Sequence, residues 1–67
     1  MNHQVYIKRK ENRYTQADVA KKLGISTQSY YLKETGKRDF SITEAKRMAL
    51  IYGCTLNDLF PVGLEVI

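Results

Sequence analysis

The sequence predicts an all-α fold: a compact five-helix bundle around a central helix-turn-helix, with a short extended strand at its C-terminal end. Three observations predict it. Two short helical patterns, between Thr15 and Gly36, are separated by a single glycine, Gly24, which leaves space for nothing but a tight corner. Ser or Thr is followed three residues later by an acid at Thr15 and Asp18, at Ser41 and Glu44, and at Thr55 and Asp58, a capping-box pattern that marks helix starts. Asn12, Gly24, Gly36, Gly53 and Pro61 divide the chain into pieces of helical length.

The elements follow in order. The first, over 2–11, sets Val5 and Arg9 one turn apart, although Tyr6 and Ile7 are consecutive and Lys8 interrupts the apolar stripe. The second runs from Gln16 to Leu23, begins at the N-cap Thr15, and carries Val19, Ala20 and Leu23 on one face. The third runs from Thr27 to Thr35 behind the N-cap Ser26, with Tyr30 and the stem of Lys33 facing inward. The fourth runs from Ile42 to Tyr52, where Ile42, Ala45, Met48, Ala49 and Tyr52 recur at steps of three and four. The fifth is short, Leu56 to Phe60, and Pro61 ends it. Beyond it, residues 62–67 alternate apolar with small or charged side chains and favour an extended strand. Residues 1–60 therefore read as one domain and 61–67 as a tail.

Bulk properties narrow the function. At 67 residues the chain is near the lower limit for folding alone, so dimerisation or very regular packing would help it. One cysteine excludes an internal disulfide, and with only His3 beside it no zinc site can be assembled from one chain. Cys54 reads as a small core residue and His3 as a solvent-facing terminal one. No cofactor or metal is expected. No apolar run is long enough for a membrane span, and the first residues lack the pattern of a signal peptide, so a cytoplasmic location is expected. An enzyme is disfavoured: there is no Ser-His-Asp set, no metal cluster and no glycine loop for phosphate.

The net charge of +4 favours polyanions, and its placement says more than its size. The third helix is the one whose capping position is followed, three residues on, by a neutral Ser29 instead of an acid. An acid in a first turn stabilises a helix by about 0.3–1 kcal/mol, so omitting it has a cost. A carboxylate there would repel DNA phosphates and most base-edge acceptors. Two helices at a tight corner, the second led by Ser26, Thr27, Gln28 and Ser29, form the unit that sets a helix in the major groove. The Gln28 amide offers a donor and an acceptor matched to adenine, and the Thr27 methyl can meet thymine. RNA binding would call for aromatics on an open sheet or a basic stacking groove, and neither is visible.

Val5 to Phe60 resembles the phage-repressor-like helix-turn-helix domains, the Cro or xenobiotic-response-element family of transcriptional regulators. The matching positions are Arg9, Thr15-Gln16, Val19-Ala20, Leu23-Gly24-Ile25-Ser26, Gln28, Glu34, Gly36-Lys37, Ser41, and Gly53 with Thr55 to Phe60. The resemblance implies that Gln16 binds a backbone phosphate and that Thr27 and Gln28 read bases. It sets Ser29 and Leu32 beside the groove floor, assigns phosphate contacts to the loop Gly36-Lys37-Arg38, and pairs Arg9 with Glu34. Lys8, Lys33, Phe40 and Tyr30 depart from the residues usual there. Lys33, Lys37, Arg38 and Arg13 would neutralise phosphates, aided by the helix start at Ser26 and by the Tyr31 hydroxyl on the rim. Lys21 and Lys22 belong to a solvated face, and Lys46 and Arg47 to a solvated face or a dimer partner.

One reading helix covers only a few base pairs, so a two-fold dimer with its reading helices about 34 Å apart on a palindromic operator is expected. Phe60, Leu64, Val66 and Ile67 have too little chain around them to be buried alone and are the expected dimer surface. The function expected is therefore a sequence-specific regulator of double-stranded DNA, of phage-repressor type. The alternative is an antitoxin or antirepressor-type interaction module on the same fold.

Overall fold

The computed structural model describes residues 2–61. Among these residues there are five helices and no strand: α1 (His3–Glu11), α2 (Gln16–Leu23), α3 (Thr27–Glu34), α4 (Ile42–Tyr52) and α5 (Leu56–Leu59). None is long and apolar enough to cross a membrane. The expected strand over 62–67, with Leu64, Val66 and Ile67, lies outside the described residues.

Each helix begins where a side chain satisfies backbone N–H groups that have no intrahelical partner. Thr15, Ser41 and Thr55 accept from the N–H three residues ahead, while Asp18, Glu44 and Asp58 accept from the N–H of the cap, completing three capping boxes. Asn2 and Ser26 cap α1 and α3 without an acid in the first turn. Gly24 ends α2 in the left-handed region at φ 76°, which lets the Ile25 N–H return to the Ala20 carbonyl at 3.0 Å. That single reversal aims α3 away from α2.

The core is Val5, Val19, Ala20, Leu23, Tyr30, Met48 and Leu59, with Tyr14, Ile25, Phe40, Tyr52 and Phe60 packed around it. Cys54 lies half-buried against the same cluster, and burial pushes its thiol pKa up. His3 is exposed. Phe60 is half-buried against the core, its ring 5.9 Å from that of Phe40, and serves as the C-cap of α5 instead of its last residue. Thr35 likewise caps α3 from just outside it. Ile42 differs more from expectation. It stands in the first turn of α4 at the edge of the apolar stripe and is 68% exposed.

A charged network joins α1 to α3 beside the apolar core. Arg9, buried in α1, donates from Nε to Glu34 Oε2 at 2.8 Å and from Nη2 to Oε1 at 3.1 Å, a two-pronged pair inside the protein. Tyr30 Oη donates to the same Oε2 at 2.7 Å. The Asn2 N–H reaches the Glu34 carbonyl at 2.9 Å, so the start of α1 is tied to the end of α3. Burial works against the charge on Glu34, but the bonds from Arg9, Tyr30 and Gln16 outweigh it and hold its pKa below the usual carboxylate range.

Candidate nucleic-acid interface

The leading turn of α3 stands clear of the body. Thr27 and Gln28 are exposed, and Ser29 and Leu32 are half-buried beside them. Ser26 Oγ accepts the Ser29 N–H at 3.0 Å, which organises the turn without a carboxylate. The positive end of the helix dipole therefore faces outward with no acidic residue in the first turn. On the opposite side of the same two turns lie Tyr30 and Glu34, both buried. α3 is thus fixed from behind and open in front.

The loop after α3 folds back on it. Lys37 and Arg38 send their N–H groups to the Leu32 carbonyl at 2.8 and 3.1 Å, and Gly36 makes this reversal at φ 88°. Both side chains are exposed. Lys37 Nζ sits 5.8 Å from the centre of the Tyr31 ring, and Tyr31 is 43% exposed, so the pair forms a basic, aromatic rim at the end of α3.

At the other end, the head of α2 borders a groove lined by Lys10, Arg13, Thr15 and Gln16. Arg13 is exposed and adopts φ 58°, an uncommon conformation for a non-glycine residue, in the turn between α1 and α2. Gln16 is half-buried, and its Nε2 donates to Glu34 Oε1 at 2.9 Å. Lys10 was not singled out by sequence reasoning. Its position three residues before Arg13, across the end of a helix, is the signal that could have found it.

Lys33 is placed differently from the other candidates. Its Nζ lies 2.6 and 2.8 Å from the two carboxylate oxygens of Glu44, bridging α3 to the first turn of α4. A phosphate would have to compete with that partly buried pair. Glu44 also caps Ser41, and these bonds together outweigh burial to hold its pKa low. Arg47 is engaged as well, donating from Nη1 to the Leu23 carbonyl at 3.3 Å, which closes the C-terminal end of α2.

Two short helices at a glycine corner, the second with an exposed start, have the geometry of a class: helix-turn-helix DNA-binding proteins. The chain belongs to the helix-turn-helix family of the Cro/C1 type, whose profile matches residues 5–59. It is also 44% identical over 46 residues to an uncharacterized HTH-type transcriptional regulator of Methanocaldococcus jannaschii, a match covering 69% of this chain and 70% of that protein. No solved structure matches the chain.

Proposed function

We propose that the protein is a sequence-specific regulator of transcription, a repressor of phage type without enzymatic activity, acting in the cytoplasm as a homodimer on a palindromic operator. The observation that carries this reading is the exposure of Thr27 and Gln28 on an α3 whose first turn holds no acid. Affinity comes from phosphates met by Lys37, Arg38, Arg13 and Gln16, with the Ser26 turn and the Tyr31 hydroxyl alongside. Selectivity comes from Thr27 and Gln28, with Ser29 and Leu32 at the groove floor. Lys33 contributes to the field at the interface from within its pair with Glu44.

Residues 1–60 form the DNA-reading unit in this account, and 61–67 join two copies through Leu64, Val66 and Ile67, with Phe60 at the base of the tail. The relative's designation as a transcriptional regulator supports the reading. A second reading, an antitoxin or antirepressor that covers a protein partner, draws on Ile42 and Leu50 of α4, which are 68% and 83% exposed.

Selection of bound sequences from random duplex DNA tests the proposal, repeated with Gln28→Ala. An enriched motif is expected, with the variant binding it weaker by about 1–3 kcal/mol and losing preference at one base pair. Absence of any motif at moderate salt removes sequence-specific binding. A motif unchanged in the variant removes Gln28 as a reader.

A further inference from the structure

The side-chain amide of Gln16 can face Glu34 in only one way. An ionised carboxylate only accepts hydrogen bonds, so the Gln16 atom 2.9 Å from Glu34 Oε1 must be Nε2. Turning the amide over would bring its carbonyl oxygen against that acceptor. Glu34 is itself immobilised, because Arg9 bonds both of its oxygens and Tyr30 bonds Oε2. The mounting of Gln16 is held by the same guanidinium, since Arg9 Nη1 donates to the Tyr14 carbonyl at 2.9 Å, two residues ahead of Gln16. One amide hydrogen of Gln16 is thereby committed inward. The second belongs to a side chain that lines the groove with Lys10 and Arg13.

We propose that Glu34 is a positioning residue for Gln16: it holds the amide with its second Nε2 hydrogen toward the groove at the head of α2, where a DNA phosphate oxygen accepts it. The proposal rests on the DNA-binding reading above and adds a wiring to it. The phosphate grip on α2 and the last turn of the reading helix share one carboxylate. A phosphate can then be gripped at α2 only while α3 keeps its seat against α1.

The test uses the full chain and a short mixed-sequence DNA duplex at low salt, since a phosphate contact needs no particular sequence. In the DNA-free protein, one of the two Nε2 protons of Gln16, the one bonded to Glu34, should be protected from exchange with water, and the other should move when duplex is added. Gln16→Ala and Glu34→Gln should each weaken binding by the folded fraction about 2- to 10-fold. The double variant should bind no worse than the weaker single one, because both changes remove the same contact. Additive losses, or full affinity in folded Glu34→Gln, overturn the proposal. Should Glu34→Gln not fold, the unaltered protein still decides: two equally unprotected amide protons, or no response of the second to duplex, refute it. An unaltered protein that binds no duplex removes the DNA reading and this inference together, whereas binding with neither proton protected removes only the inference.

Discussion

Tyr30→Phe removes one oxygen atom and leaves the ring in place, so its effect isolates a single bond in the buried network. The ring is fully buried and lies 6.0 Å from Phe40, contacts that phenylalanine preserves. The lost bond is the 2.7 Å donation to Glu34 Oε2, and a bond to a charged group is worth about 1.5–3 kcal/mol. Oε2 keeps its partner Arg9 Nε, so the carboxylate is not orphaned and the lower part of that range applies, about 1.5–2 kcal/mol. In a domain of this size each kcal/mol moves the midpoint by about 4–8 °C, so Tm should fall by about 6–16 °C. Tyr52→Phe is the matched control. Its hydroxyl is buried with no hydrogen-bond partner among the described residues, and removing it relieves desolvation, so Tm should hold or rise. Thermal melts followed by circular dichroism, run on both variants beside the parent chain, make the comparison. Equal losses in the two variants, or a Tyr30→Phe midpoint within about 2 °C of the parent, would falsify the account of the network.

Three further outcomes are expected. Replacing Lys37 and Arg38 together by alanine should weaken DNA binding and lower the slope of log affinity against log salt by about 2, measured by titration at several salt concentrations; an unchanged slope removes both as phosphate contacts. Glu34 and Glu44 have folded pKa values below the ordinary 4.5, so their stabilisation is complete above that pH and is lost as pH falls through the lower folded values. Tyr30 and Tyr52 are displaced upward by burial, Tyr52 to about 12, so their contribution persists below pH 10 and declines above it. Urea midpoints measured across pH should therefore fall at both ends, and a midpoint flat between pH 5 and pH 3 contradicts the acid side. Removing residues 62–67 should convert a dimer to a monomer by mass in solution; a dimer of undiminished stability places the interface elsewhere.

What the sequence made legible is what chain neighbours decide. Thr15 with Asp18, Ser41 with Glu44 and Thr55 with Asp58 are three residues apart, so their capping boxes could be read directly and helix starts followed from them. Gly24 and Gly53 were equally plain as stops. The contacts that cross the fold were not legible in this way. α1 has almost no apolar periodicity, and besides Val5 it is held by a pair between Arg9 and Glu34, 25 residues apart. The family resemblance supplied that pair; local spacing did not. Lys33 read as a cation open to phosphate because nothing near it in sequence reveals Glu44. The family resemblance gave Gln16 a phosphate to bind, and only the folded chain shows the carboxylate behind it. Ile42 fits the period of α4, but periodicity does not say that its side chain stays 68% exposed.

The two sides of α3 stand under different constraints. Tyr30 and Glu34 are built into the interior, so most replacements there damage the whole domain. Thr27 and Gln28 are exposed, and under the proposed function exchanging them changes the surface offered to a base pair while leaving the scaffold as it was. A lineage carrying this domain could therefore acquire new target sites through one or two codon changes. Its folding would not have to be solved again each time.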